Sequence, residues 1–395
     1  MKIFFSAGEP SGDQHAAHLI QELRSRNSQI EYEGFGGPQM QAEGCQLLFE
    51  LTQMAVMGFL RVVPLLAKFR RLVMQAERHF DESPPTAVVL VDFPGFNWWI
   101  AKAAKKRGIP VYYYMPPQLW GWAPWRIRRV RKWVDHVFCA LPFEYDWYSE
   151  RGVQASWVGH PFFDEVASHE MDQPLVNSIR ESAAGNTVAL LPGSRDHEVE
   201  RNFPVMLDVI RRVHARHPGT QWVVGNYKPE HETRCSELQR EAGTEAPLQF
   251  QVSRTSEVIE AADCCFMVSG SISLELLARH TPGMVLYRVP TIGRWASKVL
   301  MTCDYITLTN LVAGRAIMPE FISNGDPTAD IERMAAVLDD WLSSPEALQQ
   351  VTGEMAELAS TTVSTGATQQ TADILLHQLA PAAAPDASRA EERAA

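Results

Sequence analysis

Three stretches of this chain carry residues whose types and spacing could do chemistry, and each follows an apolar run. In the first, Ala87 to Val91 is continuously apolar and rich in β-branched residues, and Asp92 comes directly after it. A run without alternation is what a strand buried on both faces of a parallel sheet requires. Ligands of open α/β sheets sit beyond the carboxyl ends of the strands, so a carboxylate there faces substrate; a structural cap on the following loop is the competing account. In the second, Thr187 to Leu191 leads into Pro192, Gly193, Ser194 and Arg195, with a helix beginning near Glu198. Backbone N–H groups, a hydroxyl and a guanidinium at one helix N-terminus suit a diphosphate without requiring a metal ion, whereas a plain cap at Ser194 leaves the arginine unexplained. In the third, Cys264 to Val268 runs into Ser269, Gly270, Ser271, Ile272, Ser273, Leu274 and Glu275. Small hydroxylated residues admit phosphate to the helix end, and a carboxylate one turn in can accept from both cis hydroxyls of a ribose.

Such groups need a scaffold that aligns strand ends. Lys2 to Ala7 reads as a first strand, Gly8-Glu9-Pro10-Ser11-Gly12-Asp13 as its exit loop, and His15 to Arg26 as a helix with one apolar stripe. That loop turns N–H groups toward the crevice, which fits an anionic or hydroxyl-rich ligand or simply a βα turn; it is neither GxGxxG nor a Walker motif. After Asp92, Phe93 to Asn97 break the strand, and a helix is expected over Trp98 to Lys106, stopped by Gly108 and Pro110. Val111 to Tyr114 is the next strand, ending in a proline-stiffened aromatic loop, Met115 to Trp122. Arg126 to Lys132 is densely basic, either a solvated helix face or a phosphate contact. Met54 to Met74 is the most apolar helical stretch, with Lys68, Arg70 and Arg71 at one end; it either packs into a core or lies in a membrane interface near anionic headgroups. Strands near Gln221 to Val224 and Gly283 to Tyr287 complete a second βα array after a polar linker at Ala167 to Asn186. His160, between Gly159 and Pro161, could serve as an acid/base group, but its place at a domain exit favours a hinge residue.

Composition narrows the function classes. The 36 Lys and Arg against 47 Asp and Glu give a formal net charge of -11, which argues against a general polyanion binder while leaving room for a local basic cluster. The 6 cysteines form no CxxC pair and no Cys/His zinc spacing, and read as reduced core thiols of a cytosolic protein. The apolar run at the start is too short for a signal peptide and fits a strand. Gly108 to Trp125 is uncharged but holds Pro110, Pro116, Pro117 and Pro124, so it cannot be a continuous membrane helix. A soluble or peripheral protein is expected, with no metal and no cofactor.

Several of these strings resemble one family. Asp92-Phe93-Pro94-Gly95-Phe96-Asn97 followed by Tyr112 to Trp122 is similar to the D-x-P-x-F-N and Y-x-x-P-Q-x-W-A-W patterns of lipid A disaccharide synthases. The match continues through Ala7 to Asp13, Gly36 to Met40 with Gly44, Val56-Met57-Gly58, Leu141 to Glu144, Val158 to Pro161, Leu190 to Val199, Ser269 to Glu275, Tyr305 to Arg315 and Pro319-Glu320-Phe321. It covers Met1 to about Phe321 in the family's order. The resemblance implies the GT-B architecture, two Rossmann-like doubly wound domains with parallel sheets facing across a cleft: residues 1–166 on the acceptor and membrane side, and 167–379 on the donor side with terminal helices packing back on the first. A disordered tail is expected over 380–395. The implied reaction is inverting transfer of 2,3-diacylglucosamine from UDP-2,3-diacylglucosamine to 2,3-diacylglucosamine 1-phosphate, on the cytoplasmic face of the inner membrane.

An inverting transfer needs a base on the acceptor hydroxyl and a site for the leaving UDP. The resemblance assigns the base to Asp92, donor binding to Gly193, Ser194, Arg195, Glu198, Gly270, Ser271, Ser273, Glu275 and Asn310, and the acceptor and membrane side to Gly8, Glu9, Ser11, Met57, Gly58, Asn97, Gln118, Trp120 and Arg126. A homo-oligomer is compatible with it. Three departures stand out. Arg61 replaces a usual acid, Ser271 a usual threonine with its hydroxyl kept, and Thr309 a usual proline, an exchange expected to loosen its loop. A related GT-B enzyme with a different acceptor and a non-catalytic UDP-sugar-binding protein are the alternatives; an NAD dehydrogenase lacks its fingerprint here.

Overall fold

The computed structural model describes residues 1–55, 62–268, 270–288 and 303–380. Met57, Gly58, Arg61, Ser269 and the tail from 381 lie outside the described residues. The chain forms two units: Met1–Leu119, Trp125–Pro161 and the segment from Gly366 on make the first, while Trp120–Pro124 and Phe162–Thr365 make the second.

In the first unit β1 (Lys2–Ala7), β2 (Glu31–Gly36), β3 (Gln46–Glu50), β4 (Ala87–Val91), β5 (Val111–Tyr114), β6 (His136–Cys139) and β7 (Ala155–Trp157) form a sheet of order β3-β2-β1-β4-β5-β6-β7. Every pairing in it is parallel. The second unit orders β8 (Thr187–Leu191), β9 (Gln221–Asn226), β10 (Leu248–Val252), β11 (Cys264–Val268), β12 (Gly283–Arg288) and β13 (Glu320–Ser323) as β10-β9-β8-β11-β12-β13, again all parallel. The continuous apolar runs thus sit where they must. β4, β8 and β11 are buried along their whole length with helices packed on both faces, so neither face selects polar residues. Strand order reverses between β1 and β4 and again between β8 and β11, and ligand crevices of such sheets open at these points. Asp92, the Pro192–Arg195 turn and the Gly270–Ser273 segment all lie at those two places.

Some element boundaries differ from the sequence expectation. The helix after β4 spans Pro94–Lys105 and not Trp98 to Lys106, because Pro94 occupies its first turn, where a proline needs no N–H partner. Of the stretch Met54 to Met74, Met54 and Ala55 belong to a short helix over Thr52–Ala55 and Val62 to Met74 to a longer helix over Val62–Glu82, while 56–61 lie outside the described residues. The division between the units falls at Pro161 and Phe162, ahead of residue 166. The Thr328–Ser343 and Pro345–Thr362 helices belong to the second unit, and Ala367–Leu379 returns to the first. There Ala372 and Leu375 join the layer of Ile3, Phe5, Leu19 and Ile20, and Arg26 Nε donates to Asp373 at 2.6 Å. Among the described residues no helix is long and apolar enough to cross a membrane.

Candidate active site

Asp92 ends β4 in a left-handed turn, with φ 46° at Asp92 and 45° at Phe93. Non-glycine residues seldom adopt this conformation, and two in succession need firm support. The support is visible. Asn97 Nδ2 donates to the Asp92 carbonyl at 2.7 Å, and Tyr113 Oη donates to the same oxygen at 2.6 Å. Gly8 lies against the Phe93 ring, where a Cβ would fall 2.1 Å from Cδ1, and at Gly12 a Cβ would approach the Asp92 Cβ to 3.8 Å. The Pro10–Arg26 helix therefore begins directly against the aspartate. Burial, and secondarily the Glu9 carboxylate, push the Asp92 carboxyl up to about 6. A carboxylate tuned close to neutral pH at a strand end can accept a proton from a substrate hydroxyl.

Of the residues expected on the acceptor side, Gly8 is buried, Glu9 half-buried, and Ser11 and Gln118 exposed. Arg126 is half-buried and caps the basic Ile127–Trp133 helix, where Arg128, Arg129 and Lys132 are exposed. Trp120 groups with the second unit. The aromatic loop is anchored from below, because Tyr148 Oη donates to the Pro117 carbonyl at 2.6 Å. Asn97, assigned above to the acceptor, is wholly buried: Nδ2 also donates to the carbonyls of Ser6 and Val91 at 3.1 and 3.2 Å, and Oδ1 accepts from Ser6 Oγ at 2.7 Å. It cannot also contact an acceptor.

In the second unit Glu198 is engaged with its own loop. Its Oε2 accepts from the backbone N–H groups of Ser194 and Arg195 at 3.0 and 3.1 Å, and Oε1 accepts from Arg195 Nη1 at 2.9 Å. This capping arrangement occupies the N–H groups that were expected to meet diphosphate. It leaves the Arg195 side chain, 69% exposed, as the cation of that loop. Gly193, at φ 124°, is required because the Glu198 side chain passes where a Cβ would stand, 2.5 Å from Glu198 Cβ.

Opposite it on the same sheet edge, Gly270 and Ser271 are exposed at the start of the Ile272–Arg279 helix, and Ser273 is buried with Oγ donating to the Gly270 carbonyl at 3.0 Å. Glu275 is buried one turn in, where its Oε1 takes Arg279 Nε at 3.0 Å. Asn310 is corrected in the same way as Asn97. Its Oδ1 accepts from the N–H groups of Ile317 and Met318 at 2.8 and 2.9 Å, while Nδ2 donates to the Met318 carbonyl and to Glu320 Oε1 at 2.7 and 2.8 Å. All four hydrogen-bonding positions of a carboxamide are then filled, so none remains for a donor sugar. Thr309 does not loosen its loop: it is buried, and its hydroxyl donates to the Ser273 carbonyl at 2.8 Å, tying the two helices together.

Sequence reasoning missed one feature of the first unit. A groove of 570 Å³ runs between the Val62–Glu82 and Pro94–Lys105 helices, with Phe69, Val73 and Ala103 in its lining and Arg70, Lys102 and Lys106 among its charged residues. Leu66, Met74 and Trp99 beside it are 60, 52 and 55% exposed. The signal was present as Trp99, Lys102 and Lys106, which the helical period places on one face.

Comparison with known proteins fits this geometry. Residues 3–372 match the family model described as lipid-A-disaccharide synthetase. The lipid-A-disaccharide synthase of Myxococcus xanthus is 34% identical over 96% of this chain and 98% of that protein, and that of Nitrosococcus oceani is 36% identical over 83% and 84%. Solved structures share the fold: a UDP-GlcNAc 2-epimerase from Neisseria meningitidis bound to UDP-GlcNAc has a TM-score of 0.62 at 10% identity, covering 95% of this chain and 100% of that one. A glycosyltransferase from Rickettsia africae has a TM-score of 0.57 at 7% identity, covering 97% and 99%. Two parallel doubly wound units of this kind are the GT-B architecture, and the chain belongs to the lipid-A-disaccharide synthetase family of glycosyltransferases, acting in lipid A biosynthesis.

Proposed function

We propose that Asp92 is the general base of this transfer, and the observation that carries the reading is its placement: a carboxylate pushed toward neutrality at the switch point of the first sheet. The donor is UDP-2,3-diacylglucosamine and the acceptor 2,3-diacylglucosamine 1-phosphate. As the acceptor's 6-hydroxyl oxygen attacks the donor's anomeric carbon, its proton passes to the Asp92 carboxylate. The bond from that carbon to the diphosphate breaks with inversion, and UDP leaves with the bonding pair. Charge accumulating on the leaving diphosphate is offset by the Arg195 guanidinium and by the N-terminus of the Ile272–Arg279 helix at Gly270, Ser271 and Ser273, with Gly193 and Ser194 shaping the opposite loop. Glu275 takes the ribose hydroxyls. Gly8, Glu9, Ser11, Gln118, Trp120 and Arg126 serve the acceptor.

Both substrates carry acyl chains, so the enzyme must work at a lipid surface. The groove beside Trp99, apolar within and edged by Arg70, Lys102 and Lys106, is what supports a peripheral position on an anionic leaflet, which we place at the cytoplasmic face of the inner membrane. The test is mass spectrometry of purified protein with both substrates in detergent and EDTA. Disaccharide 1-phosphate and UDP should both appear. Asp92→Ala should abolish turnover while UDP still binds; loss of UDP binding together with turnover would refute this division of roles. UDP without disaccharide would mean that the acceptor is wrong.

A further inference from the structure

The carbonyl of Asp92 receives two hydrogen bonds from two different elements, Asn97 on the helix after β4 and Tyr113 on β5. Both side chains are completely buried. A tyrosine hydroxyl and a carboxamide are unfavourable in such a layer unless fully bonded, and Phe or Leu would fill the same space without that demand. Packing alone therefore does not account for them. What their polar atoms share is one carbonyl oxygen, and Asn97 further joins the ends of β1 and β4, the two strands flanking the switch point. With the peptide after Asp92 clamped from two sides, a left-handed turn that would otherwise relax is fixed, and so is the direction of the Cα–Cβ bond. We propose that Asn97 and Tyr113 are positioning residues that hold the Asp92 carboxylate in its working orientation through its main chain. The inference rests on the reading of Asp92 as the base.

Catalysis by a positioned base is sensitive to small displacements; a shift of about 1 Å can cost on the order of a hundredfold in rate. Tyr113→Phe removes a single oxygen and is the primary variant, with Asn97→Ala and Asn97→Ser as companions in case one of them fails to fold. The expected result for Tyr113→Phe is a kcat reduced about tenfold, KM for both substrates within about twofold of wild type, and UDP affinity unchanged. A second readout is the acid limb of the kcat–pH profile. The ionisable groups coupled to Asp92 are Glu9, from the loop after β1, and Tyr113 itself. A carboxylate released from its partly buried turn beside Glu9 ionises more easily, so the limb should move to lower pH. A merely structural role would leave that limb in place. Asp92→Ala is measured alongside. If it is inactive while folded Tyr113→Phe and the Asn97 variants keep wild-type kcat and acid limb, the positioning role is wrong. If kcat falls only in step with thermal melting and the limb does not move, the role is structural and the proposal is again overturned. Turnover retained in Asp92→Ala would overturn the base assignment itself, a separate failure.

Discussion

At the residue scale, much of what a motif preserves here is loop geometry, and carboxylates do most of the holding. Asp13 accepts from the N–H groups of Gly37, Gln39 and Met40, Glu144 from those of Ala140 and Leu141, and Glu320 from those of Ile306 and Thr307. Asp92 is different, because burial and the Glu9 carboxylate outweigh the one backbone bond it receives, from Phe93, and raise its carboxyl. That difference has a stability consequence. A carboxyl whose folded pKa of about 6 exceeds its unfolded value of about 4 binds protons more readily when folded, so stability is lost as pH rises between those values and the loss is complete above 6. Asp92→Asn should therefore stabilise the protein at pH 7.5, on the order of 2 kcal/mol or a few degrees in Tm, while being inactive. The gain should shrink toward pH 4. Calorimetry across that range checks it; a gain independent of pH would mean that strain and not charge is being relieved.

At the element scale, strands were the most legible part of the chain and helix starts the least. Ala87–Val91, Thr187–Leu191 and Cys264–Val268 lack polar alternation because both faces are covered. The loops after them were legible as the turns beyond the strands' carboxyl ends for the same reason. The start at Pro94 was missed because proline and glycine read as breakers, whereas at a first helical turn proline is favoured. The contacts of Asn97, Glu198 and Asn310 were not legible, since the same side chain can bond a ligand or the chain's own backbone and only the folded chain decides which. The Leu308–Ala313 helix shows the outcome: Glu320 accepts from Thr307 Oγ1 at 2.6 Å and from Asn310 Nδ2 at 2.8 Å, locking the start of the segment to β13. Glu320→Gln should destabilise the second unit by roughly 2–3 kcal/mol, because an amide cannot accept on both of its atoms. Urea titration would show it as a lower midpoint at unchanged slope; an unchanged midpoint would mean that the network is dispensable.

At the scale of the whole molecule, a formal charge of -11 should repel the protein from an anionic leaflet, yet the proposed substrates reside in one. The groove beside Trp99 offers a resolution, because surface attraction falls off within a Debye length and only the cations nearest the lipid contribute. Arg70, Lys102 and Lys106 line that groove with a single acidic neighbour, Glu77. Each basic residue at such a surface contributes about 1 kcal/mol, and the exposed Trp99 and Leu66 add an apolar part that salt does not screen. Binding to vesicles containing anionic lipid should accordingly weaken, but not vanish, as NaCl rises. The triple variant Arg70→Gln, Lys102→Gln, Lys106→Gln should lose on the order of tenfold to a hundredfold in partitioning at low salt and most of the salt dependence, whereas Trp99→Ala should lose affinity equally at all salt concentrations. Activity on substrates in detergent should be unaffected in both, since neither set belongs to the proposed donor or base machinery. Equal partitioning of wild type into neutral and anionic vesicles would remove the electrostatic half of this account, and unchanged partitioning of all the variants would remove the groove from it altogether.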